Sequence, residues 1–408
     1  MSKIHFPFRD ERISRWPAMK FARINLRKKS LSGILGRHPW IRHDHILSDQ
    51  ELPRRAAVVD LFVEDKAMAR AFFNPASRLS LRILSLDPEQ KIDKTFIRSR
   101  LDEAARWRAA LKLNSNAYRL FHSESDGLPG LIVDLFNDVV VVQVSSLFIH
   151  EQIEVVCEAL RSILPGRHVR VSYDLNFAER EGIDPVSLTR TTSQPESTII
   201  TENGLEYHID FNDAQKTGFF LDQRDNRNLI RDFVASKSVL DLCSYSGGFA
   251  INASKFGASR IVAVDSSESA IEAGKRNGQL NGCNQIEWIN ADALEFLQDT
   301  RDQYDVIILD PPKLIPSLKH KMKGTRKYFQ FNQQAIRHIA PSGILLSCSC
   351  SGALSLHEFR GIIQAAARKE RRDFQIFRSN AQASDHPVRL GFPESEYFKS
   401  IWLRSINF

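Results

Sequence analysis

From residue 239 onward, short apolar runs alternate with amphipathic stretches of helical length. Val239, Leu240, Asp241, Leu242 and Cys243 form a run interrupted by one carboxylate; Ser244, Tyr245, Ser246, Gly247 and Gly248 then make a small glycine-ended turn, and 249–256 can continue as a helix. The rhythm returns at 260–265, 287–292 and 304–310, and each of these runs ends in an acid: Asp265, Asp292 and Asp310. A further apolar strand runs from Gly343 into a Cys/Ser/Gly loop. This regular βα succession predicts an open, mostly parallel α/β sheet. In such sheets nucleotide-like ligands bind at the carboxyl ends of the strands, where glycine lets the backbone come close to them.

Upstream the pattern changes. Residues 58–63 and 79–84 read as strands joined by Asn74, Pro75, Ala76 and Ser77 as a turn, in a small, basic, mainly β module. Ile97, Leu101, Ala104, Trp107 and Leu111 mark an amphipathic linking helix. Next come a strand at 118–123, a hairpin at 130–144 around Asn137 and Asp138, a helix with Ile149, Ile153, Val156, Leu160 and Ile163 on one face, ended by Pro165 and Gly166, and a strand at 169–173. This is an α+β module, and the polar stretch 189–197 reads as a linker. The expected division is an extension over 1–20, a β module over 21–92, a central α+β module over 93–196 and the large α/β domain over 197–408.

The turn after Cys243 helps to choose the ligand. A dinucleotide site needs glycines at G-x-G-x-x-G to seat a pyrophosphate on the helix N-terminus. Here Ser244 and Tyr245 occupy that region and only Gly247 and Gly248 follow. The pattern instead resembles the class I methyltransferase fold, which binds S-adenosyl-L-methionine; its four successive motifs fall at Asp241 through Gly248, at Asp265, at Asp292 and at Asp310 with Pro311, Pro312 and Lys313. Asp265, at the end of the second strand, is the ribose candidate. The segment 215–224, dense in charged, aromatic and glycine residues, reads as a functional loop.

Composition is ordinary for a soluble protein, with 42% hydrophobic and 26% charged residues. No apolar run is long enough to span a bilayer, so no membrane association is expected. The formal charge of +7 is uneven: residues 1–55 hold thirteen Lys/Arg against five Asp/Glu, which points to a polyanion partner. Five cysteines without a C-x-x-C pair indicate neither a disulfide framework nor a metal site, and fit a reducing, cytoplasmic compartment.

Two methyl acceptors compete. Exocyclic-amine methylation goes with an aromatic ring after Asp-Pro-Pro, and Lys313 stands there instead. Carbon 5 of a pyrimidine needs prior attack of a thiolate on carbon 6. Cys348 and Cys350 supply thiols beside the strand that ends at Asp310. Cys350, further into the loop, is the favoured nucleophile and Cys348 the alternative.

The chain from about residue 23 resembles the bacterial large-subunit ribosomal RNA methyltransferase I family, which forms 5-methylcytosine in 23S rRNA. The resemblance rests on Arg37-His38-Pro39-Trp40, Asn74-Pro75-Ala76-Ser77, Glu124-Ser125-Asp126-Gly127-Leu128-Pro129-Gly130, the 216–224 segment, Tyr245-Ser246-Gly247-Gly248-Phe249, Asp310-Pro311-Pro312-Lys313, Ser349-Cys350-Ser351-Gly352 and Ser384-Asp385-His386-Pro387. It implies a PUA-like RNA-binding module, a central β-β-α-β-β module and a Rossmann-like methyltransferase domain, with large-subunit rRNA as partner. It also implies that Cys350 adds to carbon 6 while Asp310 holds and activates the cytosine. The expected cofactor set is Phe220, Asp222, Arg224, Asp241, Ser244, Tyr245, Gly247, Asp265, Asp292 and Asp310.

The base that removes the carbon-5 proton is not identified; His386 reads first as structural. Ala71, where the family usually has glycine, and Arg42-His43-Asp44 depart from the pattern and put the RNA docking in doubt. The alternatives are methylation of a base nitrogen and a non-catalytic RNA-binding protein. The oligomeric state is open, a homodimer included.

Overall fold

The computed structural model describes residues 21–173, 175–184, 188, 195–212 and 218–406. The extension expected over 1–20, most of the linker at 189–197 and residues 215–217 of the candidate loop lie outside the described residues.

The N-terminal sheet holds β1 (Ala22–Asn25), β2 (Trp40–Ile41), β3 (Ala57–Val63), β4 (Lys66–Phe73) and β5 (Leu81–Ser85), in the order β1-β3-β4-β5-β2. β4 has no counterpart among the strands expected from the sequence. Its alanines and charged residues give a weak strand signal, yet the left-handed Glu64 and Asp65 turn β3 straight back into it. The turn at Asn74 to Ser77 therefore joins β4 to β5, not β3 to β5. Ala71 is fully buried in β4 opposite Val59 and Ile83, so its extra methyl packs in the sheet.

The helix Lys94–Ala110 starts on an Asp93 cap that accepts from the Phe96 amide. Trp107, expected on its apolar face, is 52% exposed, and Arg108 is buried instead, because its guanidinium forks onto Asp126 at 2.8 and 2.7 Å. The central sheet runs β6 (Ala117–His122), β7 (Leu131–Phe136), β8 (Val139–Val144) and β9 (His168–Tyr173) in that order, β9 parallel to β8. The single helix expected over 149–163 is broken at Gln152 into Leu147–Glu151 and Ile153–Ile163.

A hairpin of β10 (Ser197–Glu202) and β11 (Leu205–Asp210) leads into the large sheet. That sheet holds β12 (Ser238–Leu242), β13 (Arg260–Asp265), β14 (Ile286–Asn290), β15 (Tyr304–Leu309), β16 (Ile339–Ser349), β17 (Asp373–Asn380) and β18 (Lys399–Ile406), in the order β14-β13-β12-β15-β16-β18-β17. β12 to β16 are parallel and β18 runs antiparallel beside β16. Val306 and Ile308 enter one core while Ile307 and Leu309 enter the other, so both faces are covered and the strands read as unbroken apolar runs. The first of these cores also takes Ala117, Phe136, Val139 and Val141, so the central module and the large domain share one interior. Strand order reverses between β12 and β15, which opens a crevice at their carboxyl ends.

Candidate active site

The chain enters that crevice through a strained loop. After β12, Cys243, Tyr245 and Gly247 have φ of 60, 49 and 82°, and the helix Gly248–Lys255 follows at once. Left-handed backbone is costly for residues with a Cβ, and here it is held by the Ser244 amide on the Val264 carbonyl at 3.0 Å and by the Tyr245 amide on Asp265 at 2.9 Å. A Cβ on Gly247 would run into the Trp288 ring, so only glycine fits.

Asp241 is buried and accepts from the Ala250 amide at 3.0 Å, while its Oδ1, Ser244 Oγ and Ser246 Oγ find no partner. Burial raises the Asp241 carboxyl to about 8. Three orphaned polar atoms around one glycine-ended loop are what a polar ligand would satisfy. Asp265 also receives the Ser267 amide at 2.9 Å. Asp292 lies two residues beyond β14 and caps the helix Ala293–Asp299, accepting from the Leu294 and Glu295 amides. It is exposed at the edge of the crevice.

Phe220 stands edge-on to Tyr245 with ring centres 5.2 Å apart, and the Tyr245 hydroxyl donates to the Gly218 carbonyl at 3.3 Å. Asp222 accepts the Tyr397 hydroxyl at 2.6 Å. Arg224 is placed differently: it is 2% exposed, and its guanidinium forks onto Asp385 at 3.0 and 2.8 Å while also donating to the Ala117 carbonyl. Burial alone would raise the Asp385 carboxyl, but His386 and Arg224 beside it hold it far below the usual carboxylate range. His386 Nδ1 lies 3.1 Å from Asp385, and its ring stands 5.5 Å from that of His122. His386 is therefore part of a buried clamp between modules.

Across the crevice, Asp310 at the end of β15 accepts from Gln223 Nε2 at 2.8 Å. β16 pairs with β15 and separates the two cysteines. Cys348 is fully buried opposite Ser400, and burial pushes its thiol well up. Cys350 lies past the strand end and is half-buried. The Tyr328 hydroxyl lies 2.9 Å from Ser349 Oγ and 3.0 Å from Ser351 Oγ, on either side of Cys350. Beneath this loop the buried Lys399 ammonium donates to the carbonyls of Ser351 at 2.9 Å and Tyr397 at 3.1 Å. Burial lowers Lys399 to about 8, offset in part by Glu396 and by Cys350.

Gln223, Tyr328, Tyr397 and Lys399 were missed in the sequence. Gln223 sat inside a segment read as functional, but the other three carry no local signal, because each reaches the crevice only through the fold. Among the described residues no group of three His, Cys, Asp or Glu could hold a metal ion, and no helix is long and apolar enough to cross a membrane.

A family model described as S-adenosylmethionine-dependent methyltransferase matches residues 119–371, and a PUA-like domain model matches 24–86. With the reversed strand order and the orphaned loop atoms, this defines an S-adenosylmethionine-dependent class I methyltransferase carrying an N-terminal PUA-like domain. A protein named ribosomal RNA large subunit methyltransferase I from Klebsiella pneumoniae (strain 342) is 34% identical over 393 residues, which cover 94% of this chain and 98% of that protein. Its namesake from Aeromonas salmonicida (strain A449) is 35% identical over 388 residues, covering 93% and 97%. The chain belongs to the ribosomal RNA large subunit methyltransferase I family. A crystal structure of a methyltransferase complexed with SAH has a TM-score of 0.80 at 21% identity over 94% of this chain and 100% of that one. A methyltransferase from Streptococcus mutans gives 0.79 at 20% over the same shares, a likeness of fold.

Proposed function

We propose that this chain methylates carbon 5 of a cytosine in large-subunit ribosomal RNA, with Cys350 as the nucleophile. The observation that carries this reading is the half-exposed Cys350 just past the end of β16, the strand paired with the one that ends at Asp310, in a loop pinned by Tyr328 and floored by the Lys399 ammonium, while Cys348 is sealed in the sheet. A cation next to a thiol favours the thiolate, which is the attacking form.

In this reading the Cys350 thiolate forms a bond to carbon 6 of a flipped cytosine, and the electron pair moves to carbon 5. S-adenosylmethionine supplies the methyl group taken up there and leaves as S-adenosylhomocysteine. Loss of the carbon-5 proton to a base then expels Cys350 and restores the ring. Asp310, oriented by Gln223, holds the cytosine edge and assists its activation. Asp241, Ser244, Tyr245, Gly247, Asp265 and Asp292 form the cofactor side, with Phe220 and Asp222 closing it; Arg224 acts through its clamp. The PUA-like domain, taken over 21–92, contributes to RNA binding, the central module occupies 93–196 and the catalytic domain 197–408, in a cytoplasmic protein.

The test is transfer of labelled methyl to unmodified large-subunit rRNA by the native chain, Cys350→Ala and Cys348→Ala. Label in 5-methylcytosine, lost with Cys350→Ala and retained with Cys348→Ala, is expected. Label on a base nitrogen, or label undiminished by Cys350→Ala, would overturn the thiolate route.

A further inference from the structure

Between Asp310 and Glu358 the chain holds seven lysines and arginines and no aspartate or glutamate. Six of the seven fall within 313–327. The helix Lys321–His338 buries Gly324, Tyr328, Phe331 and Asn332. Its 3.6-residue period therefore brings Met322, Lys323, Arg326 and Lys327 together on the outer face, and all four are exposed. Leu318 and Lys319, just ahead of the helix, are exposed as well. Lys321 is neutralised by Glu358 at 2.5 Å, whereas Lys319, Lys323 and Arg326 make no ion pair among the described residues.

This basic face is coupled rigidly to the candidate nucleophile. Gly324 has no side chain, so the loop after Asp310 can press on the helix; a Cβ there would meet the Leu314 carbonyl oxygen at 2.5 Å. From that loop the Ile315 amide donates to Ser351 Oγ at 3.1 Å, and Tyr328, one turn on from Gly324, holds Ser349 and Ser351. One helix thus carries unpaired cations outside and the Cys350 loop inside.

We propose that this outer face, with Lys319, Lys323 and Arg326 at its centre, binds the phosphate backbone of the RNA strand next to the target nucleotide. It would form a second RNA surface, on the catalytic domain itself, besides the PUA-like module. The inference rests on the RNA reading given above. Charge complementarity selects the occupant: a strand of phosphates matches unpaired cations with no acid among them. A base drawn out of its stack leaves the strand on either side of it lying against the surface around the Cys350 loop, where this face stands.

The experiment uses the full-length chain and the triple variant Lys319→Gln, Lys323→Gln, Arg326→Gln, in which all three changes are exposed and unpaired. Binding to an unmodified large-subunit rRNA transcript is measured across salt concentrations, alongside methyl transfer and S-adenosylmethionine affinity. The variant is expected to bind roughly tenfold or more weaker near physiological salt, with the slope of log K against log salt reduced by about 2. The KM for RNA should rise while kcat at saturating RNA and cofactor affinity stay unchanged. Equal affinity and slope in the two proteins would overturn the proposal. Loss of binding to phosphatidylserine vesicles with RNA binding intact would also overturn it, in favour of a membrane surface. If the native chain methylates no rRNA base, the functional reading fails, and the salt slopes still decide the surface separately.

Discussion

The most informative single residue is Asp241. Its carboxyl is held at about 8 by burial, so in the free protein it is protonated at pH 7. The folded value lies above the unfolded one; the stability this group contributes is complete below about pH 4 and is lost as pH rises toward 8. A sulfonium and an amino group brought into the crevice would pull the carboxyl back to its charged form. Cofactor binding at pH 7 is therefore expected to release a proton, and affinity to strengthen as pH rises to about 8 and then level off. Calorimetry in buffers of different ionisation enthalpy checks this, and a titration with no buffer dependence would sink it. Asp241 was legible because it interrupts an apolar run, and so was Cys350 because it follows one. Lys399 was not: in β18 it reads as a strand-edge lysine, and only the packing of β18 on β16 turns it under the Cys350 loop.

Two elements shape the two sides of the crevice. The loop from Cys243 to Gly247 depends on glycine at its end, where φ is 82° and the Trp288 ring fills the space a Cβ would need. Gly247→Ala is expected to weaken S-adenosylmethionine binding at least tenfold and to lower stability by about 1–3 kcal/mol, read by calorimetry and urea unfolding. The helix Lys321–His338 steadies the Cys350 loop through one hydroxyl. Tyr328→Phe removes both serine contacts and leaves the cofactor side untouched. A fall in kcat of about tenfold, as from a misplaced reacting group, with unchanged cofactor affinity is the expected result; unchanged kcat would show that the loop holds itself. The strands were legible from their apolar runs and turn residues, whereas β4 was passed over because its alanines and Arg70 gain their place from pairing with β3 and β5.

Across the whole molecule, several motifs that carry the family resemblance prove to be joints between modules. Trp40 Nε1 donates to Glu124 at 2.8 Å, and the Trp40 ring packs on Phe392 with centres 4.6 Å apart. Asn74 and Ser77 hold Glu181, which also receives a fork from Arg82 at 2.9 and 2.7 Å. Asp385 joins Arg224 and His386 to Arg119 of β6, whose amide it accepts at 2.8 Å. Removing one partner of a buried pair strands the other charge, so Asp385→Asn is expected to cost about 3–5 kcal/mol at neutral pH. The depressed Asp385 value adds an acid signature. Its stabilisation is fully present above about pH 4 and is lost as pH falls, a slope that Asp385→Asn should flatten. Urea unfolding at several pH values reads both effects. A second whole-molecule expectation is that Trp40→Ala loosens the PUA-like domain and raises the KM for rRNA more than it lowers kcat, measured in the methyl-transfer assay.

Local pattern alone determined the βα succession, the glycine-ended loop after β12, the acids at Asp265 and Asp310 and the thiols beside them, because strand period and turn chemistry are short-range properties. Tertiary structure decided what those residues face. It sealed Cys348 and left Cys350 open, committed Arg224 and His386 to a clamp, brought Lys399 and Tyr328 to the Cys350 loop, and gathered exposed cations along one helix. Each of these depends on contacts between residues far apart in the chain, and burial, which sets both charge state and access, is a property of the packed molecule.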